Sequence, residues 1–281
     1  MLSARLGLLS IRSTPGRRPA CRPRGRCPVV PAMWSKRELP NMATRNDIHP
    51  GAYIGDGVSI GEGARIGPGA VLLGPLTIGD RVWIGPNAVL GAPPEISSIE
   101  QNTAWNGHLE HMGVTIGDDV VIRELSTVHQ GSHRPTQVGA GSWLLNSSYV
   151  AHDCQIGESV TVSAGVRIGG HSVIGDHANI GMNASIHQRR VVGPGAMVGM
   201  GTPVTKDIPP FAKAFGSPVR ARGVNIRALR TLRVAPELIE QVVAAYAAGD
   251  VSLAAFDDDI LGPIGAQWRA ADVGAVVERI P

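Results

Sequence analysis

The sequence predicts a mainly β protein, a left-handed parallel β-helix over residues 46–210 followed by a C-terminal α-helical domain over 211–281. Three observations predict it. An aliphatic residue returns at every sixth position for most of the chain, glycine is abundant (36 of 281 residues) while aromatics make up only 4%, and near the end the period of six gives way to a helical one.

The period comes first because a fixed repeat decides the architecture before local propensity does. Aliphatics fall at Ile48, Ile54, Ile60, Ile66, Leu72, Ile78, Ile84 and Leu90. They resume at Ile116, Ile122 and Val128, then run twelve in a row from Val138 to Val204. Four residues after each comes a small or apolar residue, as in Ala64, Ala70 and Val82, and glycine often follows the aliphatic directly, as in Gly61, Gly79 and Gly85. A short strand and a tight turn, repeated three times, closes a triangular coil of about eighteen residues. Each periodic aliphatic then fills the interior and stacks on its counterpart one coil away at the strand spacing of about 4.8 Å. Twenty-three repeats make between seven and eight coils. The breaks at Ala92–Gly113 and Gly131–Gln137 read as loops leaving the prism, which is where function concentrates on a rigid scaffold.

Past Val204 the run Lys206-Asp207-Ile208-Pro209-Pro210 is expected to end the coils, because two prolines cannot serve a strand ladder. A helix is expected from Pro236, with Leu238, Ile239, Val242, Val243 and Tyr246 on one stripe and Gly249 as its stop. A second helical pair is expected over Ser252–Leu261 and Ile264–Arg279.

Charge separates the ends from the body. The formal net charge is +3, yet nine basic residues and no acid lie between Met1 and Arg37. Removing those nine from the 26 Lys and Arg leaves 17 against 23 Asp and Glu, a net of −6. A net-acidic body does not support a phosphate-binding surface spread over it, so no nucleic-acid partner is expected. Residues 1–45 read as a basic leader, either a transit peptide or, preferred here, untranslated sequence ahead of a start at Met33 or Met42. Cys21 and Cys27 fall in it. Cys154 alone falls in the body, on an inward small-residue position where it should be buried and inert, so a reducing, cytoplasmic setting is expected. No segment approaches the roughly 18 apolar residues of a membrane span.

The eighteen-residue coil stacks His152, Gly170 and Gln188 one above another. Likewise Asp153 stacks with His171 and Arg189, and Ala151 with Gly169 and His187. His152, His171, His187 and Gln188 therefore share one outer strip, read either as a catalytic cluster or as solvated surface. Histidine titrates near neutrality and can take a proton from a hydroxyl, and Asp153 beside His152 is placed to set its tautomer. His152 is thus the candidate general base. Neither a nucleophilic Ser-His-Asp spacing nor a phosphate loop is present, which favours direct transfer over a covalent intermediate.

The runs Ala151-His152-Asp153-Cys154, Gly170-His171, Ile186-His187-Gln188, Ile122-Arg123-Glu124, Asp207-Ile208-Pro209-Pro210 and Gly223-Val224-Asn225-Ile226 are similar to those of the UDP-N-acetylglucosamine O-acyltransferases that begin lipid A synthesis. The resemblance spans about residues 46–233. It implies His152 as base, with His171, His187 and Gln188 contacting the nucleotide sugar or the pantetheine arm and acyl chain; Asp153 and Gly170 join them as substrate-binding candidates. The implied reaction moves a hydroxyacyl group from acyl carrier protein to the sugar 3-hydroxyl, within a homotrimer. No metal and no separate cofactor are expected, the donor being carried on the carrier protein's phosphopantetheine. In the first loop the family's Gln-Asp-Leu-Lys-Tyr core is replaced after Pro93-Pro94 by Glu95-Ile96-Ser97-Ser98, leaving Glu95 as a possible assistant to the base; the family's later Asn-His is Ser217-Pro218 here.

Alternatives from other classes stay open. They are an acetyl- or acyl-CoA-dependent sugar acetyltransferase of the same fold and a non-catalytic homologue that has lost its loop. A γ-type carbonic anhydrase would need a His-x-x-x-x-His pair, which is absent among His129, His152, His171, His177 and His187. Arg220, Arg222, Arg227, Arg230 and Arg233 read either as a solvated helix face or as a dock for acidic carrier protein or nucleotide phosphate.

Overall fold

The computed structural model describes residues 45–99, 101, 111–271 and 273–278. The basic leader, all but Arg45, lies outside the described residues, as do Trp105 and His108 of the first loop.

Twenty-three strands of two to four residues run from β1 (Asp47–Ile48) to β23 (Pro203–Val204), and each holds one of the twenty-three periodic aliphatics. Every third strand joins the same sheet, so the coils build the three faces of a prism, the left-handed β-helix expected from the period. Along one face Ile66, Ile84, Ile122, Leu144, Val162, Ile180 and Val198 stack in register, none more than 3% exposed. Burying each such side chain stabilises by about 1.5–3 kcal/mol, and the ladder joins these contributions into one continuous core.

Both insertions leave this register intact. Strand partners are eighteen residues apart in an uninterrupted coil (Trp143↔Thr161), thirty-eight across the first loop (Trp83↔Val121) and twenty-two across the second (Val121↔Trp143). The inward ladder stays in phase across both, with one irregularity at the base of the first loop, where His129 pairs with Ala92 past Gly91.

The corners show why the repeat uses the residues it does. Three residues after the aliphatic the backbone is left-handed, at Gly57 but also at Asn87, Asp119, Asp153, His171 and Asn183, with φ between 55° and 71°. The glycine directly after the aliphatic answers a different need: a Cβ on Gly139 would sit 2.5 Å from the Gly157 carbonyl carbon in the next coil.

The prolines after Lys206 do not stop the prism, in contrast to the expectation. Ile208 bridges in parallel to Val192, and β24 (Ala212–Phe215) pairs in parallel with β22 (Met197–Val198) before turning back antiparallel into β25 (Arg220–Val224). The prolines occupy the corner ahead of the strand, so they cost no ladder bond. Phe211, fully buried, lies against Gly195, where a Cβ would come within 2.4 Å of its ring. A short helix α1 (Ile226–Thr231) follows, capped by Asn225, whose amide also donates to the Gly195 carbonyl at 2.8 Å.

Helix α2 (Pro236–Ala248) starts at Pro236 and ends at Gly249, φ 91°, with Ile239, Val242 and Tyr246 buried; Val243 is off the stripe, 38% exposed. Among the described residues the expected second helical pair is a single helix, α3 (Leu261–Ala270). Asp258 accepts from the backbone N–H groups of Ile260 and Leu261 and so fixes its start, which leaves Ser252–Ile260 as turns. Beyond Ala270 the chain is tied to the prism instead of coiling: Gly274 N–H donates to Asp207 at 2.5 Å and Val276 bridges Asp207.

Candidate active site

The strip predicted from coil arithmetic is present. Tyr149↔Arg167 and Arg167↔Ser185 hold three successive coils in register, and His171 N–H donates to the His152 carbonyl at 3.0 Å. The His152 and His171 rings meet edge to face, centroids 5.0 Å apart and planes at 88°. Gly170 is what lets His152 lie there, since a Cβ at that position would come within 2.6 Å of its Cε1 and Nε2. His187 and Gln188 are exposed on the next coil of the strip, with His187 Nδ1 3.1 Å from the Gln188 carbonyl.

Asp153 organises the cluster. Its left-handed corner (φ 62°) turns the side chain into a fully buried position, where Oδ2 lies 2.6 Å from His152 Nδ1 and 3.6 Å from His171 Nε2. Oδ1 accepts three backbone N–H bonds, from Ser132, His133 and Arg134 at 2.7–3.0 Å, while the Ser132 hydroxyl donates to Oδ2 at 2.7 Å. Burial alone would raise this carboxyl's pKa. The bonds from His152, the Arg134 and His133 amides and Ser132 outweigh it and hold the group ionised, far below the ordinary carboxylate range. An ionised Asp153 keeps the proton on His152 Nδ1, so that Nε2 carries the basic lone pair. The His171 pKa is lowered, first by burial and then by Arg189, His152 and His133, with Asp153 opposing.

The donors around Asp153 come from the second insertion, and spacing alone gives no access to them. Arg134 Nε also binds the Asp153 carbonyl and Thr136 Oγ1 accepts its N–H, both at 2.9 Å. The signal for this loop in the sequence is only its length, four residues beyond an uninterrupted coil.

The structure places the Glu95 carboxylate on His129 and Tyr149, 2.9 Å from His129 Nδ1 and accepting the Tyr149 hydroxyl, whereas the acid in contact with His152 is Asp153. Glu95 directly follows Pro93-Pro94 at the start of the first loop, and His129, which also meets the Pro93 carbonyl at 2.8 Å, holds the loop base. The five arginines do not make one helix face. Arg220 and Arg222 lie on β25, the first 3.7 Å from Glu278 and the second over the Phe215 ring, while Arg227 and Arg230 lie on α1. Cys154 is buried as expected, and burial pushes its thiol pKa up to about 12.

Comparisons with known proteins bear on the fold and the family. The model of the bacterial transferase hexapeptide (six repeats) matches residues 48–74 and 135–170. The acyl-[acyl-carrier-protein]–UDP-N-acetylglucosamine O-acyltransferase of Syntrophobacter fumaroxidans is 35% identical over 218 residues, 75% of this chain and 80% of that protein. The chain belongs to this O-acyltransferase family. The Alkalilimnicola ehrlichii O-acyltransferase is 34% identical over 134 residues, so the chain spans about half (52%) of that relative's length. Among solved structures, the UDP-N-acetylglucosamine acyltransferase of Bacteroides fragilis superposes with a TM-score of 0.66 at 29% identity, over 82% of this chain and 97% of its own. The Arabidopsis acyltransferase gives 0.59 at 25% identity, over 72% and 80%. Within the O-acyltransferase fold, apolar cavities of about 440 and 570 Å³ lie around α2, and neither includes His152 or His171. Among the described residues no helix is long and apolar enough to cross a membrane.

Proposed function

We propose that this chain transfers a hydroxyacyl group from acyl carrier protein to the 3-hydroxyl of UDP-N-acetylglucosamine or a related nucleotide sugar, with His152 as general base. The observation that carries the proposal is the His152–Asp153 pair, a buried ionised carboxylate 2.6 Å from the ring nitrogen on the outer strip. His152 Nε2 takes the proton of the sugar hydroxyl as its oxygen attacks the thioester carbonyl. The new C–O bond forms, the C–S bond breaks, and the proton passes from the imidazolium to the departing pantetheine sulfur. Such a base contributes about 10²–10⁴ in rate. Gly170 gives the ring its place, and His171, His187 and Gln188 line the path of the sugar and the pantetheine arm.

The active assembly in this reading is a homotrimer with sites between prisms. The strip is open in one chain, and Trp143 and Met197, both outward on the ten-stranded sheet, are 47% and 40% exposed and offer apolar surface to a neighbouring copy. The test is an assay with UDP-N-acetylglucosamine and a panel of acyl carrier proteins and acyl-CoAs, beside His152→Ala. Transfer from an acyl carrier protein, lost in His152→Ala, is expected. Transfer from acyl-CoA alone would make the chain a CoA-dependent acetyltransferase, and transfer that survives His152→Ala would remove the base from this residue.

A further inference from the structure

The second insertion brings a third imidazole to the cluster. His133 stands exposed on the loop that wraps Asp153, its ring centroid 5.6 Å from that of His171 and tilted by 63°. One donor atom from each of His133, Asp153 and His171 lies within 4.8 Å of the other two. We propose that these three residues form a binding site for a divalent transition metal of the zinc class.

The donor chemistry selects the ion. Two imidazoles and one carboxylate suit zinc, cobalt or nickel, whereas magnesium and calcium take oxygen ligands. Tetrahedral bonds of about 2.0–2.1 Å place neighbouring donors roughly 3.4 Å apart. His171 Nε2 and Asp153 Oδ2 are already 3.6 Å apart, so the site needs mainly an inward swing of His133. The backbone of the loop is held on Asp153, so the swing is one of the His133 side chain, the exposed member of the three. Asp153 is oriented as a ligand would need to be, since three backbone amides grip Oδ1 and leave Oδ2 on the ligand side, and Ser132 Oγ stands 2.7 Å from His133 Nδ1. Oriented outer partners of this kind are what fix metal ligands. Three protein donors leave a fourth position for water.

Oδ2 is also the atom that holds His152 Nδ1. An ion bound there draws the carboxylate away from the imidazole, so metal occupancy and a correctly oriented base exclude one another. This consequence rests on His152 being the base; binding itself does not.

The test compares the full chain with its His133→Ala variant, both carrying Cys21→Ser and Cys27→Ser so that leader thiols take no metal, and both stripped with chelator. Titration with cobalt(II), followed by its visible absorption, and with zinc, followed by calorimetry, is expected to show one ion per chain in a four-coordinate environment. Affinity should fall at least tenfold in His133→Ala, with circular dichroism unchanged. Equal uptake by both proteins, or none by either, overturns the site. If acyl transfer is detected, zinc should inhibit the parent and spare His133→Ala. Binding without inhibition would retain the site and overturn its link to the base, and a chain with no transferase activity still yields the binding result.

Discussion

Gly170→Ala tests the site through one atom. Gly170 does not use left-handed backbone, so alanine meets no conformational penalty there, and the conflict is local. The added Cβ would lie 2.6 Å from His152 Cε1 and Nε2, whereas carbon contacts settle at about 3.5–4.0 Å. The imidazole must retreat by roughly 1 Å to reach that range, which strains the 2.6 Å bond that anchors its Nδ1 to Asp153. A misplacement of about 1 Å in a catalytic geometry costs on the order of 10²-fold in rate. The expected outcome is a fall of about 100-fold in kcat with KM little changed and the thermal midpoint close to the parent's. The assay is steady-state transfer to the nucleotide sugar, with imidazole ¹⁵N NMR reporting the Nδ1 proton shared with Asp153. Parental kcat in a folded Gly170→Ala protein, with the alanine Cβ confirmed in place, would refute the base assignment.

Three further outcomes follow from the geometry. Ile168→Ala removes a fully buried side chain stacked between Val150 and Ile186 and should cost about 2–5 kcal/mol in a denaturant titration; a cost near zero would mean the coil collapses freely. For the Glu95–His129 pair, burial raises the Glu95 pKa but bonds from His129 and Tyr149 bring it below the ordinary 4.5; burial lowers the His129 pKa but Glu95 brings it above the ordinary 6.5. The pair's stabilisation is therefore full between those two values, lost as pH rises through the raised His129 pKa and as it falls through the lowered Glu95 pKa. The stability difference between parent and Glu95→Gln should peak there, and a difference flat from pH 4 to pH 9 would contradict the pairing. Cys154, buried with its thiol pushed up to about 12, should resist alkylation at neutral pH until the chain unfolds, so rapid labelling of native protein would show an open prism.

Much of the site is legible in the sequence because a solenoid converts sequence distance into spatial distance. Once the coil is eighteen residues long, His152 must neighbour Gly170 and Asp153 must neighbour His171, and the His152 and His171 rings do meet at 5.0 Å. The same arithmetic is silent wherever the chain leaves the period. The family resemblance offers Glu95 to His152, but the loop carries Glu95 to His129 and Tyr149; nothing in the period places His133, although the second loop folds onto Asp153 and His171. At the far end it stops the coils at Pro209-Pro210, because a proline pair is excluded from a ladder interior but not from a corner.

The sequence by itself determined the prism, its twenty-three strands and the vertical order of the outer strip, since all three follow from which residues must face inward at every sixth position. Only the tertiary structure decided which carboxylate serves which histidine, how the two insertions close over the corners and where the C-terminal tail is tied. Those contacts depend on loop paths that no repeated burial constraint dictates.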